Sequence, residues 1–398
     1  MHSIIWSEPK LDNCICKNNL FHIDHSVFSG RHLQSYIKDM PTLPYYIIRY
    51  QKNSESIFLL LACLVMKKPF IILDAKWPQS YQNQLLQMLN AMDMRQYSTS
   101  FFILTSGTTG MPKLCCHDIS SLFSSAIRSL LHCPIATNDR FILSLSPAHI
   151  GGLLSIAKSL ISGAILCISS THWLHFIEQK KTHFAVVPEQ LSKLLDHIAL
   201  HPTHLSNIAS VLVGGNATAH KIRDKSYAMG LPIIYSYGAT ETCGQVTGTT
   251  IGQPSVDSGK ALSGVVLDVL DARLTVSTNT LAKGYIDSTG FQPILAKGSK
   301  VLVTQDKARI INQTVYIHGR VDHQFKSGSV LICPHHIESI MMQSGLLKRI
   351  QILPAPDPTY TLVPIAYYEL DSATIDAVTA YATQTLPLAM QPKQWYFF

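Results

Sequence analysis

Residues 101–113 read FFILTSGTTGMPK, and the reading of this stretch decides the rest. Residues 101–104 are apolar at strand spacing, and they run into two glycines and a row of hydroxyls that ends on proline and lysine. On chemical grounds this is a phosphate-holding segment. Gly107 and Gly110 tolerate positive φ, so successive backbone N–H groups can face one anion. Ser106, Thr108 and Thr109 add hydroxyl donors, and Lys113 adds a cation. It is not the nucleotide loop with a second glycine directly before Lys-Ser/Thr, because Pro112 occupies that glycine position.

Around this stretch the chain alternates between short apolar runs and helix-like segments. YYIIRY from Tyr45 predicts a strand, Asn53 a cap for a helix through Lys67, and PFIILD a short buried strand. After a helix near 79–92 comes the strand of the opening motif, and Asp118 then caps a helix to about Leu131. RFILSL, AILCIS, HFAVV, SVLVG and PIIYS continue as strands, separated by helices from Gly152, over 172–181, from Pro188 and from Ala219. This pattern predicts an α/β fold with a mainly parallel sheet covered on both faces. Beyond Thr250 the texture is β-rich, and from about Val321 a small α/β unit follows. The predicted division is a large domain over 1–320 and a small one over 321–398, joined by a tight hinge.

The 398 residues are 46% hydrophobic and 14% charged, which excludes a disordered chain and leaves room for two cores. A net charge of +7, spread without long runs, suits anionic small molecules and argues against nucleic acid. Nine cysteines without a CxxC spacing read as reduced thiols of a cytoplasmic protein. The Cys14, Cys16 and Cys115, Cys116 pairs lack grouped metal partners. The apolar runs at 58–66 and 150–168 are too short, or too interrupted by Lys158 and glycines, to insert into a membrane. The oligomeric state is open, a homo-oligomer included.

Several further segments fall in a fixed order. LVGG spans 212–215, YSYGATET 235–242, LSPAHIGGL 145–153, VTQD 303–306, GRVD 319–322 and FKSGSVLICPHHIE 325–338. Together with the opening stretch they resemble the adenylate-forming ligases, the superfamily of acyl- and aryl-CoA synthetases, adenylation domains and luciferases. The resemblance implies a carboxylic acid substrate, ATP, Mg2+ and CoA. By it, Thr105, Ser106, Gly107, Thr108, Thr109, Gly110 and Lys113 hold the ATP phosphates, while Gly214 and Gly215 pass beside the nucleoside. Tyr237 stacks on adenine next to Gly238, Thr240 bonds the α-phosphate, and Glu241 is the metal ligand. His149 lies beside the substrate carboxylate, Asp306 takes the ribose hydroxyls, Arg320 holds the ribose or a phosphate, and Asp322 is the hinge.

Three departures qualify the likeness. Gln305 replaces the usual glycine of the VTQD turn, and Ser329 and Val330 stand where a glycine-glutamate pair is usual in the loop facing the thiol acceptor. The segment LPLAMQPKQWYFF at 386–398 resembles the region before a family lysine, and no lysine follows Lys393. The expectation is a shortened small domain, with adenylation slowed on the order of 10²–10³ unless another group serves. Within the superfamily the likeness is best to bacterial o-succinylbenzoate-CoA ligases of menaquinone synthesis, on LSLSPAHIGG, HFAVVPEQLSKLL, SVLVGGNAT and LAMQPKQW. Two other readings stay open: a nucleotide-binding, weakened paralogue, and an adenylation domain that loads a carrier protein.

Overall fold

The computed structural model describes residues 20–398 apart from 25, 78, 91–93, 106–112, 170–172, 179–180, 217, 219, 288, 322–323 and 372. The alternating run does not form one sheet; it divides between two. The first holds Tyr46–Tyr50, Phe70–Asp74 and Ser100–Thr105 in parallel, followed by Lys113–Asp118, Gly284–Asp287 and Gly290–Pro293 in antiparallel order. In the second, Ile233–Tyr235, Ile208–Val213, Thr182–Val186, Arg140–Ile142, Ile165–Ile168 and Leu20–Ile23 are parallel, and Ser26–Ser29 closes the edge antiparallel.

Lys113–Asp118 causes the split. KLCCHD returns beside Ser100–Thr105 with Thr105 opposite Lys113, so the opening motif joins a hairpin and does not lead straight into a helix. Its four central residues are buried, which its short length concealed. Asp118 occupies the N-cap of Ile119–His132 but makes no side-chain cap bond; its carboxylate meets Lys283 at 2.5 Å.

Between the sheets lie Ser54–Val65, Ile119–His132 and Ile150–Ser162, which share one core with strands of both. Nine residues of Ser54–Val65 are buried, as an all-round apolar helix requires when it is enclosed. The predicted cap is present, with Asn53 Oδ1 accepting from the Ser56 N–H at 2.9 Å. Gln79–Asn90 covers the outer face of the first sheet, and Pro188–Leu200 and His220–Ala228 that of the second. The helix expected over 172–181 is a 3-10 turn, Trp173–Glu178, where described.

A third sheet is antiparallel, in the order Thr247–Gly248, Lys260–Ala261, Thr314–Arg320, Leu302–Ile311, Arg273–Ser277, Val266–Leu270. VTQD lies inside the long strand Leu302–Ile311, so Gln305 alters no turn; its carbonyl accepts from the Val321 N–H at 2.9 Å. From Phe325 on, residues of the hairpin Phe325–Ser327/Val330–Ile332, the helices Pro334–Met342 and Ile375–Thr385, and the sheet Leu347–Asp357/Thr361–Leu370/Trp395–Phe397 share a core of their own.

Candidate active site

The site lies where the ends of these sheets meet. YSYGATET leaves Ile233–Tyr235 and folds back on itself, pairing Gly238 with Gln245 and Ala239 with Gly244. Gly238 is obligatory here, because a Cβ would fall 2.2 Å from the Gly244 carbonyl oxygen. Thr240–Thr242 form one 3-10 turn. Four consecutive carbonyls of this turn are met by distant groups. His117 Nε2–H donates to Thr240 O at 2.8 Å, and the Ala282 N–H to Glu241 O at 2.8 Å. Thr280 Oγ1 donates to Thr242 O at 3.0 Å and Ser125 Oγ to Cys243 O at 2.7 Å.

Glu241 thereby stands on a rigid base, and its side chain is held as well. The Tyr285 hydroxyl donates to Glu241 Oε1 at 2.5 Å. Among the described residues the other oxygen, Oε2, has no hydrogen-bond partner. Burial, followed by the Glu241 charge, pushes the Tyr285 phenol well above its ordinary range, so it stays a donor.

Tyr237 is half-buried against the core of the third sheet, and its hydroxyl donates to Asp306 Oδ2 at 2.6 Å. Asp306 and Arg320 are cross-strand partners, with Arg320 Nη1 3.6 Å from Asp306 Oδ1. Thr304 Oγ1 accepts the Asp306 N–H at 3.2 Å and donates to Leu274 O at 2.9 Å, which fixes the strand that carries the acid. Tyr237, Asp306 and Arg320, brought from three separate motifs, thus form one cluster. Lys326 reaches the same region: burial lowers its pKa, the Asp306 carboxylate opposes that shift, and Arg320 adds to it.

His149 is the N-cap residue of Ile150–Ser162. Burial pushes its imidazole below the ordinary value, with Asp74 opposing and Lys326 adding, so it is neutral near pH 7. The turn before it is tight: a Cβ on Gly152 would sit 2.3 Å from the Ser146 carbonyl oxygen, and Ser146 Oγ donates to Asp74 Oδ2 at 2.9 Å. Gly214 N–H donates to Val186 O at 3.1 Å, and Gly215 takes the left-handed φ of +86°.

Of the phosphate segment, Thr105 and Lys113 are described; Ser106, Gly107, Thr108, Thr109 and Gly110 lie outside the described residues, as does Asp322. Thr105 Oγ1 donates to Lys113 O at 3.2 Å, and Lys113 Nζ lies 3.8 Å from Asp287 Oδ2. Sequence reasoning missed His117, Tyr285 and Asp287. The last two sit two apart in GYID and share a face, a signal that a strand period would have shown.

The donor set suits a nucleotide and a small hard cation. Asp306 offers acceptors for a diol beside an aromatic ring, and Glu241 offers one free carboxylate oxygen. Among the described residues no group of three or more His, Cys, Asp or Glu side chains could hold a metal ion. Glu241 alone therefore fits a magnesium ion that takes its other ligands from phosphates and water.

Residues 57–286 match the AMP-binding enzyme family. The chain belongs to that family. It is 26% identical over 312 residues to the 2-succinylbenzoate–CoA ligase of Escherichia coli (strain K12), covering 78% of this chain and 67% of that protein. The same-named protein of Salmonella typhimurium is 27% identical, with 73% and 63% covered. This member therefore spans about two thirds of the length of these two relatives. Among solved structures, an o-succinylbenzoate CoA synthetase double mutant from Bacillus subtilis, bound with a product analogue, matches with a TM-score of 0.82 at 20% identity, covering 96% of this chain and 92% of that one. The Bacillus subtilis protein in complex with ATP and magnesium matches at 0.63, also at 20% identity, with 96% and 93% covered.

Proposed function

We propose that this member is an AMP-forming carboxylic acid–CoA ligase acting on o-succinylbenzoate. The observation that carries the reading is the convergence of Tyr237 and Glu241 from one motif with Asp306 and Arg320 from two others on one site, with Lys326 near Asp306 and His149 near Lys326. The names of its relatives support the aromatic substrate.

In this reading the 105–110 segment and Lys113 hold the ATP phosphates, and the Thr240 hydroxyl bonds the α-phosphate. Tyr237 carries adenine, with Gly214, Gly215 and Gly238 letting the backbone pass close by. Asp306 and Arg320 grip the ribose. Glu241 would hold Mg2+, which neutralises phosphate charge. Neutral His149 sits beside the acid without adding a charge. An oxygen of the substrate carboxylate attacks the α-phosphorus and pyrophosphate leaves. The CoA sulfur then attacks the acyl carbon, its proton goes to solvent, and AMP departs.

We also propose a boundary between units at 320/321, with Asp322 as the pivot. The better likeness to the product-analogue structure than to the ATP complex supports assigning the present arrangement to the thioester step. The seven described cysteines are all free thiols, which supports a cytoplasmic location, and no described helix is long and apolar enough to cross a membrane.

Pyrophosphate release with a panel of carboxylic acids, with and without CoA, tests the reading. The expected result is release with o-succinylbenzoate and a CoA thioester detected by mass. Nucleotide binding without release for any acid would overturn it in favour of a weakened paralogue, which the Ser329 and Val330 departure favours.

A further inference from the structure

Tyr285 belongs to no motif used above, yet it makes the shortest bond to the candidate metal ligand. It lies on Gly284–Asp287, opposite Cys115 on the strand that follows the phosphate segment, and its ring is half-buried. Its hydroxyl takes Glu241 Oε1 at 2.5 Å. A phenol can donate only one hydrogen, so this bond commits one of the two carboxylate oxygens.

The backbone beneath Glu241 is held at four successive carbonyls. The carbonyls of residues 240, 241, 242 and 243 are held by His117, Ala282, Thr280 and Ser125. With the backbone clamped and Oε1 already accepting from the phenol, Oε2 is the oxygen fully open to a cation, and Oε1 is the poorer second ligand atom.

That distinction matters to metal ions. Mg2+ is small, wants six ligands in near-octahedral order and accepts a carboxylate through one oxygen; Ca2+ is larger, takes six to eight ligands and readily accepts a carboxylate through both. We propose that Tyr285 is a specificity-determining residue which, by drawing on Glu241 Oε1, disfavours binding of a cation through both carboxylate oxygens and so favours Mg2+ over Ca2+. This rests on the reading of Glu241 as the metal ligand. It adds what that reading lacks, a reason for the choice of ion.

The test is calorimetric titration of ATP into the full chain, without carboxylic acid, in Mg2+ and in Ca2+. Wild type, Tyr285→Phe, a chain carrying 3-fluorotyrosine at 285, and Glu241→Gln are compared, each with its thermal midpoint. Tyr285→Phe is expected to lower the Mg2+ over Ca2+ affinity ratio about tenfold, the scale of one hydrogen bond to a charged group. Fluorotyrosine keeps the ring and the donor and is expected to retain the preference, which guards against misfolding of the phenylalanine variant. An unchanged ratio in Tyr285→Phe, with cation dependence removed by Glu241→Gln, overturns the inference and leaves the metal-ligand reading standing. Cation dependence unchanged in Glu241→Gln overturns both.

Discussion

The turn at residues 240–243 and the junction around Gly328 are both parts of the candidate site, and they are built in opposite ways. Every carbonyl of the turn is engaged by a group from elsewhere in the chain. Around Gly328 the bonds are longer: Asn216 Nδ2 donates to Lys326 O at 3.2 Å, and the Gly328 N–H, within its own unit, to Tyr360 O at 3.3 Å. Glu189, on Pro188–Leu200, faces Gly328, where an added Cβ would lie 3.9 Å from its carboxyl carbon. It is buried, and among the described residues neither carboxylate oxygen has a hydrogen-bond partner. The contrast is between a turn whose backbone is held from several distant elements and a loop held by fewer, longer bonds, and it fits the proposal that the loop belongs to the part that moves.

The sharpest way to break this contrast is at Glu241. Glu241→Gln is expected to cut pyrophosphate release by about 10²–10³ while the thermal midpoint stays near wild type, since the clamps hold backbone and not the carboxylate. A large loss of stability would mean that the turn depends on that charge.

Acid pH separates the regions next. Burial lowers both His117, under the turn, and His336, in the Phe325-to-Trp395 core, from 6.5 to about 4. Both are therefore neutral in the fold. Between pH 6.5 and 4 the unfolded chain binds protons that the fold does not, so stability is fully present above that window and is lost as pH falls through it. The slope is up to about 1.4 kcal/mol per pH unit for each imidazole. Denaturant titrations over this range should show His336→Leu removing about one proton of the dependence.

A single clamp should matter less. Thr280→Val leaves the Thr242 carbonyl without its hydroxyl donor and is expected to lower stability by about 1–2 kcal/mol in urea unfolding. The smallest effect belongs to the junction. Burial, with Asp357 adding, raises the pKa of Glu189, so the fold favours its protonated form and stability falls as pH rises above the ordinary glutamate value. Glu189→Gln should remove that fall and add about 1 kcal/mol at pH 8. A loss of stability in this variant would show a partner that the carboxylate needs.

The order of the motifs was legible in the chain, and so were the caps and apolar runs of the buried helices and strands. Asn53 announces its helix through a side chain, and FIILD its burial through an unbroken apolar run. The clamps were not legible, because a backbone carbonyl carries no letter of its own and its partners lie far along the chain. Lys113–Asp118 was hidden for another reason: a six-residue strand ending in His and Asp, directly after a glycine-rich segment, has too little alternation to stand out. Its omission left the division of the strands between the two sheets unread.

The four clamped carbonyls also set a schedule. Two of their partners come from 123 and 118 positions upstream and another from 38 positions downstream. Contacts of such high sequence separation reward the chain only after the intervening segments have collapsed around them, so the turn is expected to settle late in folding. Partly folded chains would carry sheets and helices but no settled Glu241, and the ability to take up a metal-bound nucleotide would arise together with the last cooperative step.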